Sequence, residues 1–568
     1  MEGGGRRRGR RRLWRRRLRL LVPLAVIAGI AVAVVLVVRG GPGRAERQMV
    51  ASYVRAWATG DYRQMYSLLS PASQQGMSEA RFAAAYRRDA RVATTVTLTP
   101  GRVGRRRGDV IPVAMVVATR LFGTLRGILR VPLAGSGSSA TVQYVPSLLF
   151  PGLTGHARLT RHMALAPRAT LRAADGTPLA QGPDRTSPIA DVAGQIAGVL
   201  GPIPSADAAK YAAQGYPADA KVGQDGLERA FQTQLAGAPG GVLRAGHRVL
   251  ARVAAKPGHA VTTTIVPDIE RAAVAALGGR FGGIAAMNPR TGALLALAGI
   301  AFSATQPPGS TMKIVTATGA LEAGIVKLSD TFPIATSATI EGYTLHNAGG
   351  EACGGTFLNA FAVSCNSVFA PLGAKLGGRR LVDMAERFGF NQPTGIPGAI
   401  ESQIPSASSI GDDLAVGSSA IGQGRVQATV LEMTEVAATV ADGGRRPLPT
   451  LQAHLPPHFV HVTSRHIAGL LQRMMIAVVQ FGTGTSAAIP GVTVAGKTGT
   501  AELQNTVTSS GANTANADQE TDAWFVGYAP VGSPRIVAGA LFPNQGAGGA
   551  TAAPAVREVL IAGLQATH

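Results

Sequence analysis

The segment Pro307-Pro308-Gly309-Ser310-Thr311-Met312-Lys313 holds the residues from which the fold can be inferred. Two prolines and a glycine end the preceding element, and an apolar run then predicts a helix from Ser310 to Ala323 that stops at Gly324. Ser310 and Lys313 are three residues apart, so on this helix their side chains share one face. A hydroxyl beside an ammonium is typical of a nucleophile and its base. An isolated S-x-x-K pattern, however, is more often an ordinary helix start with an exposed lysine.

Two further motifs follow in the chain and favour the catalytic interpretation of Ser310 and Lys313. Ser364-Cys365-Asn366 precedes a predicted helix, and Lys497-Thr498-Gly499-Thr500 follows a predicted strand, Val492–Ala495. The order S-x-x-K, S-x-N and K-T-G is the signature of penicillin-binding proteins and class A β-lactamases. Each tripeptide is weak alone, but a chance match of all three in this order is improbable. The set therefore predicts a serine acyl-transfer site.

The residue types suit the chemistry of acyl transfer. The hydroxyl of Ser310 needs an adjacent base, and Lys313 can serve if burial or a second cation lowers its pKa. Lys497 would supply that second charge. Ser364 is suited to pass a proton to the leaving amine. No histidine falls in a Ser-His-Asp pattern, so the lysine is the preferred base.

The remaining motif residues are candidates for binding the substrate. Asn366 offers an amide to a peptide carbonyl, and Gly499 would let a substrate backbone lie close to the strand. Thr498 and Thr500 offer hydroxyl groups to a carboxylate. The backbone N–H groups of Ser310 and Thr500 would form the oxyanion hole. No metal site and no cofactor are predicted.

The N-terminus predicts a membrane anchor. Ten arginines lie within the first 19 residues, and residues 20–38 carry no charged side chain. Such a run gives about 28 Å of helix, close to the thickness of a bilayer core, and the basic flank keeps the N-terminus cytoplasmic. A cleaved signal peptide is the competing interpretation. The net charge of +23 is not taken as a sign of nucleic-acid binding. Alanine and glycine are also abundant, which attributes much of the arginine excess to genome composition.

The spacing of apolar residues divides the rest of the chain into domains. Helices followed by strands predict an α+β domain over residues 44–155, an irregular linking domain covers 160–260, and the catalytic domain covers 261–568. The elements predicted in these domains include a strand at Val142–Leu149, helical sequence over residues 356–376 with Ser367–Leu376 after the Ser364-Cys365-Asn366 motif, and a final helix at Ala555–Leu564 with Pro554 at its start. The only two cysteines, Cys353 and Cys365, are twelve residues apart, which leaves open whether they pair.

Further segments make the chain resemble the class B, high-molecular-weight penicillin-binding proteins. These are Gly422-Gln423-Gly424, the run from Gly482 to Glu502, and Ala523 to Pro530. The resemblance covers residues 261–568 and implies a multidomain α+β protein whose last domain has an antiparallel sheet with helices. Residues 44–155 more weakly resemble the extension of the methicillin-resistance-type members, which implies a cone-like fold related to nuclear transport factor two. Residues 160–260 would be the pedestal, or dimerisation-type, domain.

The resemblance implies a peptidoglycan D,D-transpeptidase that cross-links stem peptides through an acyl-enzyme on Ser310 and is the target of β-lactams. It also implies an extracytoplasmic catalytic domain, a cytoplasmic membrane anchor and a glycosyltransferase of the wall-synthesis machinery as a partner. A D,D-carboxypeptidase stays open as an alternative, as does a non-catalytic β-lactam sensor or scaffold. About 220 residues between the anchor and the catalytic domain argue against a secreted β-lactamase.

Overall fold

The computed structural model describes residues 43–502 and 521–566. These residues form two compact units, each built from several stretches of chain. Of the described residues, the first unit contains 43–166, 202–220 and 237–257, and the second contains 167–201, 221–236, 258–502 and 521–566. The predicted linking domain, residues 160–260, therefore contributes chain to both units.

The predicted membrane span, residues 20–38, lies outside the described residues. No helix within residues 43–502 and 521–566 is both long and apolar enough to cross a bilayer.

The first half of the chain contains short helices and strands. In chain order they are α1 (Arg44–Thr59), α2 (Tyr62–Ser67), α3 (Pro71–Gly76), α4 (Glu79–Ala93), β1 (Thr95–Val103), β2 (Val110–Thr119), β3 (Gly123–Ala134), β4 (Thr141–Val142), β5 (Leu159–Ala164), β6 (Leu171–Arg172), β7 (Pro178–Ala180), α5 (Ala190–Ile196), β8 (Leu200–Pro202), α6 (Ala208–Gln214), β9 (Lys221–Gly223), α7 (Gly226–Ala230), α8 (Gln232–Ala236), β10 (Gly240–Ala245) and β11 (Arg248–Val253).

In the first unit, helices cover one face of the antiparallel sheet β1-β2-β3-β4. Val50, Tyr53 and Val54 of α1 recur at helical spacing and are buried in its core, as the sequence predicts. The predicted strand Val142–Leu149 is wrong beyond Val142, because the chain turns at Pro146 into a short 3-10 helix. Pairing with β3 ends because the N–H of Tyr144 donates to Ser73 Oγ and no longer to the strand. The likeness to a nuclear-transport-factor-two fold stays a prediction.

The second half of the chain contains longer elements. In chain order they are β12 (Val261–Thr262), α9 (Pro267–Leu277), β13 (Gly283–Met287), β14 (Leu294–Gly299), α10 (Lys313–Glu322), β15 (Thr331–Ala335), β16 (Ser337–Ile340), β17 (Tyr343–His346), β18 (Cys353–Thr356), α11 (Phe357–Ala362), α12 (Asn366–Leu376), α13 (Gly378–Phe388), α14 (Asp413–Ala420), α15 (Val430–Ala441), β19 (Arg445–Pro447), β20 (Phe459–His461), α16 (Arg465–Gln480), β21 (Ala495–Glu502), β22 (Thr521–Ala529), β23 (Ile536–Phe542) and α17 (Gly548–Ala566).

A five-stranded antiparallel sheet in the order β14-β13-β23-β22-β21 organises the second unit. Strand β22 shows how the sheet is buried on both faces. Trp524, Val526 and Tyr528 point into one hydrophobic cluster, whereas Ala523 and Phe525 point into another. Helices α9 and α17 pack on the second face, and α15 packs on the first. The predicted antiparallel sheet with helices is therefore confirmed.

Three predicted elements differ from the structure. The predicted strand Val492–Ala495 begins only at Ala495 and continues through the K-T-G motif, because β22 pairs with every residue from Ala495 to Glu502. The predicted helical sequence over residues 356–376 forms two helices, α11 and α12. The final helix begins at Gly548 rather than Ala555, so Pro554 lies inside it.

A pair of buried acids on α15 makes the stability of the second unit depend on pH. Glu432 and Glu435 are each 1% exposed, and Arg446 lies near both. Burial raises the pKa of Glu432 to about 7. Burial and the neighbouring Glu432 raise the pKa of Glu435 well above its ordinary value. Above the ordinary pKa of 4.5, the unfolded chain has lost the protons that the folded chain still holds on these two acids. The free energy of unfolding therefore falls as pH rises toward the raised pKa values.

We expect Glu435→Gln to remove part of this dependence, because glutamine fills the same space and cannot ionise. Near about pH 5 the variant should unfold at the wild-type temperature, and near about pH 8 it should be more stable by about 1 kcal/mol. Calorimetric melting across this range measures the effect. Glu401→Gln, at an exposed position, is the control. A parallel pH dependence in wild type and Glu435→Gln would contradict the interpretation.

Candidate active site

The S-x-x-K segment forms a tight turn that opens α10. Residues Gly309–Met312 make one 3-10 turn, and the α-helix begins at Lys313 rather than at Ser310 as predicted. Ser310 is 8% exposed and Lys313 is fully buried. Ser310 is therefore buried with slight access to solvent, while the amine of Lys313 lies in the interior of the unit.

The G-Q-G segment fixes the backbone before the nucleophile. Gly309 has a positive φ of 52°, and its N–H donates to the carbonyl oxygen of Gly422 at 2.9 Å. A Cβ at Gly422 would overlap the carbonyl oxygen of Gly309. Glycine is therefore needed at both positions, once for conformation and once for close approach.

Lys313 reaches the turn between α11 and α12. Its Nζ donates to the carbonyl oxygen of Ser364 at 2.7 Å and to Asn366 Oδ1 at 2.7 Å. A neutral amine has two N–H hydrogens and one lone pair. With both hydrogens donated to these two oxygens, the lone pair stays available to accept a proton.

Both lysines converge on the hydroxyl of Ser364. Ser364 Oγ lies 3.3 Å from Lys313 Nζ and 2.8 Å from Lys497 Nζ. Ser364 has a φ of 64°, in the left-handed region that residues other than glycine rarely adopt. This conformation ends α11 and lets the next helix begin at Asn366. The break between the two helices is therefore the feature that places Ser364 between the two amines.

Burial keeps these amines from holding their protons as tightly as exposed lysines do. Burial, and then the charge of Lys497, holds the pKa of Lys313 well below its usual value. Burial lowers the pKa of Lys497 to about 7. The rings of Phe369 and Phe361 lie 5.5 Å from Lys313 Nζ and Lys497 Nζ respectively. The site therefore favours the neutral form of Lys313, which can accept a proton, more than water does.

The side chain of Asn366 is largely used within the protein. It accepts from Lys313, and its Nδ2 donates to the carbonyl oxygen of His346 at 2.9 Å. One amide hydrogen remains for the predicted contact with a substrate carbonyl. The neighbouring Cys365 is joined to Cys353 by a disulfide with Cα atoms 5.8 Å apart, which ties this turn to β18.

The K-T-G motif lies on β21, which pairs with β22 on one side only. The predicted contact of Gly499 with a substrate backbone stays a prediction, but packing within the protein already requires glycine there. A Cβ there would lie 2.8 Å from both the carbonyl oxygen of Pro308 and the side chain of Trp524. A Cβ at Gly309 would in turn lie 3.0 Å from the backbone of Thr500. This packing brings the predicted oxyanion donors, the N–H groups of Ser310 and Thr500, to neighbouring points of the backbone.

Thr483 is a site residue that the sequence patterns did not single out. Its Oγ1 lies 2.5 Å from Thr498 Oγ1, so the two hydroxyl groups share a hydrogen bond. The partner fixes the direction in which Thr498 can donate. The predicted carboxylate-binding hydroxyl is therefore held by a residue from the loop after α16. The G-x-G-T resemblance at Gly482–Thr485 was the only sign of it.

We expect Thr483→Val to weaken binding of substrates that carry a carboxylate. Valine keeps the shape of threonine but frees Thr498 Oγ1 to turn, at a cost of about one neutral hydrogen bond. KM should rise about fivefold with little change in kcat. Steady-state kinetics with a carboxylate-bearing thioester donor measures both constants. Thr485→Val, at an exposed position of the same loop, should leave KM unchanged; a loss confined to kcat in Thr483→Val would refute this role.

The chain matches two known domain families and a curated relative. Residues 282–561 match the penicillin binding protein transpeptidase domain, and residues 159–260 match the penicillin-binding protein dimerisation domain. The peptidoglycan D,D-transpeptidase PbpA of Mycolicibacterium smegmatis is 32% identical over 375 residues, which cover 54% of this chain and 73% of that relative.

Solved structures show the same architecture. The D,D-transpeptidase domain of a peptidoglycan glycosyltransferase from Eggerthella lenta matches with a TM-score of 0.57 and 29% identity, covering 71% of this chain and 99% of that chain. Penicillin-binding protein A from M. tuberculosis, as a ceftriaxone acyl-enzyme, matches with a TM-score of 0.55 and 26% identity over 70% of this chain and 98% of that chain. The chain therefore belongs to the penicillin-binding proteins, in their class B group of D,D-transpeptidases.

Proposed function

We propose that this chain cross-links peptidoglycan stem peptides by serine acyl transfer and is acylated by β-lactams. The observation that carries the proposal is the convergence of two buried lysines on Ser364, with one of them three residues from Ser310. Such an arrangement supplies a nucleophile, a base of lowered pKa and a proton relay.

In the first half-reaction, Ser310 Oγ attacks the carbonyl carbon of the penultimate D-Ala of a donor stem peptide. Its proton passes to Nζ of Lys313, and the N–H groups of Ser310 and Thr500 stabilise the oxyanion. The C–N bond then breaks. The leaving D-Ala amine takes a proton through the hydroxyl of Ser364, which Lys313 and Lys497 flank.

In the second half-reaction, an amine of a neighbouring stem peptide attacks the ester carbonyl of the acyl-enzyme. The amine loses a proton to the Ser364–Lys313 relay, the ester C–O bond breaks, and Ser310 regains its proton. Thr498 and Thr500 would bind the terminal carboxylate of the donor. A β-lactam follows the first half-reaction with its ring amide in place of the peptide bond.

The purified protein with a stem-peptide or thioester donor and a D-amino acid acceptor tests the reaction. We expect the product in which the acceptor amine has replaced D-Ala. Hydrolysis without this product, at saturating acceptor, would refute transpeptidation and make the protein a D,D-carboxypeptidase. Release of no D-Ala together with acylation by penicillin would make it a sensor or scaffold.

The basic and apolar N-terminal sequence supports a proposal about where the protein is located. We infer that residues 20–38 anchor it in the cytoplasmic membrane, that the Arg-rich residues 1–19 stay in the cytoplasm, and that the rest lies outside. A glycosyltransferase that polymerises the glycan strands is the partner that would present stem peptides to this site. Recovery of the protein in the membrane fraction, and its loss from there on deletion of residues 20–38, tests the anchor.

A further inference from the structure

Basic residues are concentrated in the first compact unit. Its described residues contain 22 Lys and Arg against 7 Asp and Glu, whereas those of the larger second unit contain 22 of each kind. A genomic preference for arginine would raise both units alike. The excess in the first unit therefore reflects the surface of that unit, and a local positive potential of this kind attracts anions.

Some of these arginines have partners within the protein. Arg106, in the Arg-rich turn between β1 and β2, is bound to Glu46, Asp109 and the carbonyl oxygen of Gly135. Arg126 and Arg130 differ, because the guanidinium group of neither forms an ion pair or a hydrogen bond within the part of the chain that the structure describes. Both are exposed on β3, and their spacing of four residues places them on one face of the strand.

These two arginines line a concavity of about 590 Å³ in the first unit. We call it the arginine groove and define it by Arg126, Arg130 and Arg248. Its other walls come from β3, from residues 150–155 and from β11, and no carboxylate is among its lining residues. Arg248 donates to the carbonyl oxygen of Gly152, which holds the loop that forms one wall. The groove is therefore concave, positively charged and without an internal counter-charge.

We propose that the arginine groove binds an anionic polymer of the phosphodiester class. Guanidinium groups match phosphate oxygens with paired N–H donors. The backbones of Arg126 and Arg130 are about 13 Å apart along the strand, so two extended side chains can meet successive phosphates of one linked chain. Between them Ile128 is 55% exposed, and Val249 of β11 is 41% exposed. These side chains offer apolar surface to the carbon backbone of a polyol phosphate.

The shape of the groove favours a polymer over a membrane surface. A flexible chain can enter a concavity and follow it, whereas the headgroups of a flat bilayer contact mainly the rim. This binding site is separate from Ser310 and does not depend on the acyl-transfer chemistry.

A fluorescently labelled poly(glycerol phosphate) is the probe, and its fluorescence anisotropy with the full-length protein at low salt gives Kd. We expect Arg126→Gln/Arg130→Gln to raise Kd about tenfold and salt to weaken wild-type binding. The matched control is Arg55→Gln/Arg63→Gln, which removes the same charge from exposed positions of α1 and α2 outside the groove. It should raise Kd less than about twofold, because only long-range attraction is lost. Both variants should keep the wild-type melting temperature and penicillin labelling.

Two results would overturn the proposal. Equal weakening by the two double variants would mean that binding follows net charge and not the groove. The second result would be that the protein does not bind the polymer but binds phosphatidylglycerol vesicles through Arg126 and Arg130. That result would assign the surface to membrane binding. Competition by inorganic phosphate only at concentrations far above those of polymer phosphate would support the need for linked charges.

Discussion

Replacing Ser310 by alanine is expected to abolish covalent labelling by fluorescent penicillin and all release of D-Ala from a donor peptide. The hydroxyl is the proposed nucleophile, and no acyl-enzyme can form without its oxygen. The rate should fall on the order of 10⁴-fold or more. Alanine fits the space, and Ser310 Oγ forms no hydrogen bond with another described residue, so the fold should survive.

Ser303→Ala is the matched control, since Ser303 is exposed and lies in the segment just before Pro307. It should label as the wild type does. Mass spectrometry of the wild-type adduct should place the penicilloyl group on the peptide that contains Ser310. Labelling that survives in Ser310→Ala would show that another residue is acylated, and the assignment of the nucleophile would fail.

The sequence predicted the catalytic set because acyl transfer demands particular side chains in a particular order. Three motifs single out Ser310, Lys313, Ser364 and Lys497. The structure brings the amines of Lys313 and Lys497 within hydrogen-bond distance of Ser364 Oγ, and the role of Ser310 stays a prediction. Thr483 was not found, because a hydroxyl pair formed between a loop and a strand leaves no regular spacing. A contact of this kind depends on tertiary packing alone.

The glycines of the site show a second limit of sequence reasoning. Glycine can signal close approach, but the sequence does not say what approaches. The sequence suggests a substrate backbone at Gly499, and the structure shows that Pro308 and Trp524 of the protein itself also lie close to it. Gly422 enters the sequence analysis only as part of a resemblance. In the structure its missing side chain lets the backbone of Gly309 lie against it.

Pairing between distant segments explains why the sequence of residues 160–260 predicts only an irregular linking domain. Strand β5 pairs with β10, and β6 pairs in parallel with β12, about 80 and 90 residues later in the chain. Such strands are only a few residues long and carry little periodicity of their own. The transpeptidase unit was easier to predict because β13 and β14 form a local hairpin with a recognisable turn.

Replacing Lys313 by methionine is expected to slow acylation strongly. Methionine fills the buried space without an amine, so the proposed base is lost while packing is kept. The acylation rate should fall on the order of 10³-fold, within the range typical of a lost general base. Stopped-flow acylation by a chromogenic cephalosporin measures the rate. Lys375→Met, at an exposed position on α12, should acylate at the wild-type rate.

The stability of the same variants gives an independent readout. The unfolded chain holds a proton on each lysine up to about the ordinary pKa of 10.5, whereas the folded chain gives up that of Lys497 at about 7. Between these values the unfolded state binds more protons, so the free energy of unfolding rises with pH by up to about 1.4 kcal/mol per unit for each lysine. Lys313→Met and Lys497→Met should each flatten this slope, which Lys375→Met should leave unchanged.

Replacing Lys497 should lower the acylation rate less than replacing Lys313 does. Both lysines act through the same hydrogen-bonded unit. Burial is the larger cause of the low pKa of Lys313, and the charge of Lys497 adds to it. Both amines meet at Ser364 Oγ, so the two substitutions remove parts of one relay. We therefore expect Lys313→Met/Lys497→Met to be no slower in acylation than Lys313→Met alone. Losses that multiply in the double variant would instead give Lys497 a role of its own, in binding the substrate carboxylate, and the two lysines would no longer form one catalytic unit.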